Sequence, residues 1–248
     1  MKNSNLLNTL ILAALAVPGI AMAADAPAVT GNVSLVSNYL YRGVSQTGNK
    51  AAIQGGFDYA HASGLYAGAW GSSISWLGPN SNGLELDTYA GYTSSFATDF
   101  TYNVGVLRYN YPGEYDALGA IPANTNEVYG SLGWKMLSAK YSRSTTNLFG
   151  TADSTGSSYI ELNGSYTLEG PAVDLAAHYG KQTVASNNGT INDPWTYTDY
   201  NVKASKAFSG YTFALMLSKL KGSASGAANP YVGKPEDMKA VLSVSHSM

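Results

Sequence analysis

Apolar and polar residues alternate with a period of two along most of the chain after its first few dozen residues. This alternation is typical of β-strands that have one apolar face and one polar face. Polar stretches and turn-forming residues separate the alternating segments. The pattern predicts twelve strands, over residues 32–43, 50–61, 64–76, 83–96, 99–111, 125–136, 138–146, 157–168, 171–181, 196–208, 210–221 and 238–248.

The predicted connections alternate between short and long. The short ones lie at 62–64, 97–98, near 137, at 169–171 and at 209–210. Outer-membrane barrels combine short periplasmic turns, long outer loops and an even number of strands. The turn near Leu137 has the weakest signal, because no Gly, Pro or Asn lies between Trp134 and Ala139. Without that turn the count falls to ten or eleven. The long loop over 112–124 could enter the barrel or stand clear of it.

Charged residues keep a consistent place in this alternation. Every acidic residue within the predicted strands lies on the parity opposite to the apolar residues. The cations on the apolar parity lie near strand ends, where long side chains can reach lipid headgroups. They are Arg108, Arg143, Lys181, Lys206, Lys219 and Lys221. A barrel with apolar residues toward lipid and charges toward the lumen explains both facts. The alternative is an exported soluble β-sandwich whose apolar face is its core.

The first two predicted strands show what this assignment means. The residues expected to face lipid are Tyr39, Tyr41, Ile53, Phe57 and Tyr59. The residues expected to face the lumen are Arg42, Gln54 and Asp58. The fold class predicted from the pattern is therefore all-β: an antiparallel transmembrane β-barrel of about twelve strands.

The composition agrees with a membrane barrel. Only 12% of the residues are charged, about half the share usual in a soluble domain, whereas Tyr and Gly are abundant at 19 and 27. The chain has no cysteine, so no disulfide stabilises it. A formal net charge of -2 argues against nucleic acid as a partner.

The N-terminus predicts export. Lys2 precedes an apolar run from Leu6 to Val17, which is too short for a membrane helix. Ala21 and Ala23 then form a small-residue cleavage pattern. We expect a cleavable signal peptide over 1–23 and a mature barrel over 24–248. The expected location is the bacterial outer membrane, with outer-membrane lipid and the barrel-insertion machinery as partners. The last residue is Met248, where such barrels commonly end in an aromatic residue.

Several segments resemble a known family. The most specific is "SNYLYRGVSQT" followed by "IQGGFDYAH", and "LELDTYAGYT" and "RYNYPG" extend the likeness. Together they resemble the TorF family of porins, a proteobacterial family of conserved proteins. The resemblance implies an outer-membrane barrel in a Gram-negative bacterium with a channel role, and it implies no particular substrate. Members of that family usually end in Phe, from which Met248 departs.

The lumen carries the candidate chemistry. The pore-lining residues expected from parity are Arg42, Asp58, Glu85, Asp87, Glu127, Lys140, Glu161, Asp174, His178, Asp199 and Lys203, with Lys135 also assigned inward. Acids outnumber cations, which predicts a weakly cation-favouring channel for the passive passage of small ions or solutes. About twelve strands predict that this channel is narrow. The alternative is a closed structural or adhesin-like barrel in which the same charges pair across the lumen. The oligomeric state is left open.

Enzyme chemistry is not expected. The three histidines, His61, His178 and His246, are scattered, and no Ser lies in a nucleophile-elbow pattern beside them. An outer-membrane lipid-modifying enzyme is therefore the weakest alternative, and no metal or other cofactor is expected. Aromatic residues near strand ends are interpreted as the girdles that flank the apolar band of a barrel. They are Trp70, Trp76, Tyr109, Tyr111, Trp134 and Trp195.

Overall fold

The computed structural model describes residues 28–77, 82–113, 122–186, 196–222 and 237–248. The expected signal peptide over 1–23, Trp195 and most of the loop over 112–124 lie outside these ranges, so the predictions about them stay predictions. None of the described residues belongs to a helix long and apolar enough to cross a membrane.

Twelve antiparallel strands form a closed barrel, and two short strands form a separate hairpin. The barrel strands are β1 (Ala28–Val36), β4 (Ala52–Ala60), β5 (Leu65–Ser73), β6 (Leu84–Phe96), β7 (Phe100–Asn110), β8 (Thr125–Trp134), β9 (Leu137–Ser144), β10 (Ser158–Leu168), β11 (Val173–Thr183), β12 (Tyr197–Phe208), β13 (Tyr211–Gly222) and β14 (Lys239–Ser247). The hairpin consists of β2 (Leu40–Tyr41) and β3 (Val44–Ser45). The predicted fold class and strand number are confirmed.

Each barrel strand pairs with its neighbour in sequence, and the first and last strands close the ring. Asn32 of β1 is the partner of Ser247 in β14. Gly31 and Met248 exchange two backbone hydrogen bonds of 2.9 and 2.8 Å at the same seam. The weakly marked turn after Trp134 is real: Lys135 adopts a φ of 51°, and β9 begins at Leu137. Twelve paired strands leave no open sheet edge, as a spanning barrel requires.

One predicted strand is wrong in its second half. Alternation continues from β1 through Tyr39 and Tyr41, which predicted a single strand over 32–43. The wall strand ends at Val36, and the chain turns into the barrel until Ala52 begins β4. We call residues 37–51 the inner hairpin. Tyr39 and Tyr41 are therefore buried inside the barrel and do not face lipid.

The outward surface of the barrel is an apolar band. Large apolar side chains such as Val33, Ile53, Val106 and Leu217 are exposed on it. At the short-turn end, Phe96, Phe100 and Trp134 stack on one another as an aromatic girdle. The girdle prediction is thus confirmed for Trp134. A closed barrel with this exposed band is stable only with lipid around it, which places the protein in the bacterial outer membrane.

Candidate functional site

The tip of the inner hairpin is a tight two-residue turn that carries Arg42 into the lumen. Arg42 and Gly43 have φ values of 46° and 78°, the left-handed values that a type I′ hairpin turn requires. A Cβ on Gly43 would lie 2.7 Å from Cβ of Asp199 in β12, so only glycine fits there. The turn thus combines a close approach to the wall with a strained arginine backbone, and such strain is common at functional positions.

Arg42 binds two strands of the wall that lie three positions apart in the ring. Its Nη2 donates to Oε2 of Glu127 in β8 at 2.8 Å, and its Nη1 donates to Oε1 of Gln182 in β11 at 2.8 Å. The guanidinium carbon lies 4.3 Å from the ring centroid of Tyr159. Burial would lower the pKa of Arg42, but the neighbouring Glu127 carboxylate raises that pKa above its ordinary value, so the group stays charged.

Aromatic side chains fill the space around the hairpin. Tyr41 shares a 2.7 Å hydrogen bond between hydroxyls with Tyr109 of β7, and Phe149 packs edge-on against both rings. A cavity of about 110 Å³ remains beside Phe149, and Gln182 forms part of its lining. The hairpin and these rings close the lumen on the side of the long loops.

His178 belongs to a buried polar cluster on β10, β11 and β12, next to the Arg42 site. Its Nε2 lies 2.9 Å from the Tyr159 hydroxyl and 3.1 Å from Oδ1 of Asp199. Its Nδ1 lies 2.7 Å from Oδ1 of Asn163. The Tyr159 hydroxyl also donates to Oδ2 of Asp199 at 2.9 Å. Both ring nitrogens of His178 are therefore engaged with groups of the wall.

A second polar cluster lies on the wall formed by β4 to β8. The Tyr89 hydroxyl donates to Oδ1 of Asp58 at 2.5 Å. The hydroxyls of Tyr66 and Tyr129 share a hydrogen bond of 2.5 Å, and Tyr66 also donates to Asn103. The tyrosines cover Asp58, which is 8% exposed. This carboxylate is thus part of the packing of the wall.

Four of the charged candidate residues remain within reach of water. Lys140, Glu161, Asp174 and Lys203 face the lumen and are half-buried. Ser138 and Ser165, near the short-turn ends of β9 and β10, are half-buried as well, whereas inward residues near the long-loop ends of β9, β11 and β12 are buried. The latter include Ser144, Gln182 and Tyr197. Along β9 to β12, the lumen is therefore more open toward the short turns than toward the long loops.

Ten of the eleven candidate residues lie on inward faces of the wall strands, whereas Arg42 lies at the tip of the inner hairpin and not on the wall strand that parity assumed. Whether they line a conducting pore stays a prediction. Lys135 lies at an exposed turn, where its Nζ is 3.6 Å from Asp99, so its inward assignment is wrong. Lys239 is an inward cation that the assignment missed, although its place two residues before the buried Val241 would have shown its parity. The inward acids still outnumber the inward cations.

Three aromatic residues assigned to the interfacial girdle lie inside. Trp70, Tyr109 and Tyr111 are buried. Parity could have placed Tyr109, because it alternates with Asn103 and Gly105 on the inward face of β7. Trp70 gave a weaker signal, since the residues opposite it in β5 are Ala67 and Ala69, which suit either face. Trp76 packs edge-on against Tyr111 at a centroid distance of 5.2 Å, so it is not in the girdle either.

A family profile described as "Bacterial protein of unknown function (Gcw_chp)" matches residues 21–244. The chain belongs to this family. This match confirms that the chain belongs to a family of bacterial proteins, as the resemblance implied. The TorF name stays a prediction. No curated protein matches the chain.

Solved structures show the same fold as this Gcw_chp member at low sequence identity. The KdgM porin in complex with disordered oligogalacturonate superposes with a TM-score of 0.51 and 11% identity, over 89% of this chain and 98% of that one. The COG4313 outer membrane channel from Pseudomonas putida F1 gives a TM-score of 0.50 and 15% identity, over 94% and 100%. The fold is thus that of outer-membrane channel barrels.

Proposed function

We propose that the protein is an outer-membrane channel for passive passage of small ions or solutes, closed at rest by the inner hairpin. The observation that carries this proposal is the nature of the closure. One short hairpin, held at its tip by Arg42, fills the long-loop side of a lumen that is polar and reached by water from the other end. The likeness to channel barrels and the resemblance to a porin family support the same function.

The finer part of the proposal is a weak preference for cations. Glu161 and Asp174 are balanced by Lys140 and Lys203 among the half-buried inward charges, and the excess of acids over cations comes from the buried inward residues. An acidic lining raises the local concentration of cations and favours their passage. Neutralising Glu161 and Asp174 together is therefore expected to shift the reversal potential under a salt gradient toward anions.

A closed structural barrel is the second candidate. The hairpin packs as a protein core does, with Tyr39 and Leu40 each 2% exposed. A hairpin buried to this degree could serve only to stabilise the barrel. The two candidates differ in whether removal of the hairpin creates a conducting path.

We further propose that the protein is not an enzyme and that His178 is structural. Its hydrogen-bond partners are Asn163, Tyr159 and Asp199, and the cluster contains no serine or cysteine nucleophile. A buried imidazole with both nitrogens engaged has no free nitrogen to activate a nucleophile.

Planar-bilayer conductance of a hairpin-deleted variant tests the channel. Val36 and Ala52 are direct partners in the β1–β4 pair, so a two-residue Asn-Gly turn can join them in place of residues 37–51. Lys50→Ala, which changes only an exposed residue of the hairpin, is the matched control. We expect small or rare conductance steps from the wild type and from Lys50→Ala, and large steady steps from the deletion.

The outcomes separate the two candidates. A deletion variant that folds, as judged by heat-modifiable migration on gels, yet gives no conductance contradicts the channel. In that case the barrel is closed by more than the hairpin, and the structural role is correct.

A further inference from the structure

Two carboxylates next to the inner hairpin have almost no partners. Glu85 and Asp87 occupy successive inward positions of β6 and are 1% and 0% exposed. Tyr111 donates to Oε1 of Glu85 at 3.1 Å. The other oxygen of Glu85 and both oxygens of Asp87 are buried and make no hydrogen bond. Among the described residues, the ion pairs involve other acids.

A third group with the same property lies on the hairpin. The hydroxyl of Tyr39 is buried and makes no hydrogen bond within the usual geometric limits. Burial and the charges of Glu85 and Asp87 raise the pKa of the Tyr39 phenol well above its usual value, and a weak hydrogen-bond interaction with Glu85 acts in the same direction. The ring of Tyr39 packs edge-on against Trp70, which is the cross-strand partner of Asp87.

Such an arrangement needs an occupant. An isolated buried carboxylate is strongly unfavourable, and buried polar atoms without partners in native structures point to a bound ion or water. All four unpartnered atoms are oxygens: Oε2 of Glu85, Oδ1 and Oδ2 of Asp87, and Oη of Tyr39. Sets of oxygen ligands that include carboxylates select hard cations, and Ca²⁺ in particular accepts irregular geometry.

We propose that Glu85, Asp87 and Tyr39 form a binding site for a hard divalent cation of the Ca²⁺ type, which fastens the inner hairpin to strand β6. No group of three or more His, Cys, Asp or Glu side chains suited to a metal occurs within the described ranges. The site differs from such groups because its third protein ligand is a phenol. It also does not depend on whether the barrel conducts.

The surroundings of the site provide a direct probe. Tb³⁺ replaces Ca²⁺ at oxygen sites and luminesces when excited through adjacent aromatic rings. Tyr39, Trp70 and Tyr111 lie around the two carboxylates. The refolded wild type is expected to give saturable Tb³⁺ luminescence that Ca²⁺ suppresses by competition.

Three variants sharpen the test. Asp87→Asn is expected to weaken Tb³⁺ affinity by about 10–100-fold or more, since even residues that only support ligands have effects of that size. Tyr39→Phe removes one hydroxyl and is expected to weaken affinity less. Glu169→Gln neutralises an exposed acid at the turn after β10 and is expected to leave affinity unchanged.

A second measurement covers the case in which a variant fails to refold. Ca²⁺ should raise the unfolding temperature of the wild type, and a chelator should lower it. The Asn variant should be insensitive to both, since its amide carries no buried charge. Absence of saturable luminescence in the folded wild type, or equal affinity in Asp87→Asn, would overturn the proposal. So would a wild-type unfolding temperature indifferent to Ca²⁺ and chelator, because the two carboxyls would then be neutralised by protons.

Discussion

Arg42 is the residue on which the closure of the lumen depends most directly. Its guanidinium links the hairpin tip to Glu127 in β8 and Gln182 in β11, which are 85 and 140 positions away from it in the chain. Because the pair with Glu127 is buried, its net contribution to stability is small, but removal of either partner leaves a buried unpaired charge at a high cost in free energy. An arginine at this turn therefore makes the hairpin specific for one position in the lumen.

This leads to a prediction at the residue scale. Glu127→Gln leaves Arg42 buried without a counter-charge and is expected to lower the free energy of unfolding by about 3–5 kcal/mol. Denaturant titration of the refolded barrel measures the change. The control is Lys135→Ala, which breaks the exposed pair with Asp99 and should cost no more than about 1 kcal/mol. Equal losses of unfolding free energy in the two variants would show that the buried Arg42–Glu127 pair contributes no more to stability than an exposed pair.

Sequence parity predicted most of the inward charges of the wall strands but not which of them meet. Asp58, His178 and Arg42 all read as inward residues, yet their partners come from different strands. Pairing across a closed lumen depends on the tilt and size of the whole barrel, which alternation along one strand does not contain. The tyrosines that cover Asp58 and Asp199 were missed for the same reason.

At the scale of the strands, the barrel wall follows from alternation and turn length alone. The inner hairpin does not, because the alternation of Val33 and Leu35 resumes in register at Tyr39 and Tyr41 after the single polar residue Ser37. Tyrosine suits a lipid interface and a packed interior equally well. The only local sign of the turn was Gly43, and its need for glycine arises from contact with a distant strand.

The outward faces of the strands also carry an unequal distribution of charge. Arg108, Arg143, Lys181 and Lys221 lie near the long-loop ends of their strands. Their placement agrees with cations that extend toward lipid headgroups. The middle of the band carries apolar residues such as Leu217.

A substitution in this band tests the assignment of the outward face. Leu217→Arg places a cation near the middle of β13 and should cost about 2–4 kcal/mol in a bilayer. Lys221→Leu, at the end of the same strand, should change stability by no more than about 1 kcal/mol. Reversible unfolding in lipid vesicles compares the two. Similar changes in stability at both positions would mean that the cost of a cation on this face does not depend on its depth in the membrane.

At the scale of the whole molecule, the inner hairpin makes the two ends of the lumen unequal: along β9 to β12, the described inward residues are more buried toward the long loops. The wall is a continuous ring of pairs from β1 to β14, and the hairpin occupies the lumen without joining that ring. Access of water should therefore differ between the two ends. The chain contains no cysteine, so single cysteines can report on access without background.

We predict a matching pattern of thiol labelling. Ala176→Cys, inward and half-buried, should react rapidly with a charged thiol reagent, whereas Ser142→Cys, inward and 2% exposed, should react slowly. Val202→Cys, which faces lipid, should stay unlabelled. In the hairpin-deleted variant the cysteine at 142 should become reactive. Rapid labelling at 142 in the intact protein would contradict a closed long-loop side.

The position of the inner hairpin in the chain has a consequence for how such barrels diversify. Its ends connect two strands that are already neighbours in the wall, so any hairpin or loop that spans Val36 to Ala52 leaves the ring of pairs intact. Loop length and loop sequence change at little cost to the scaffold that carries them. Changes in the gene segment between the first two wall strands could therefore replace one inner hairpin with another. A lineage would then keep its barrel while it alters which solutes the barrel admits.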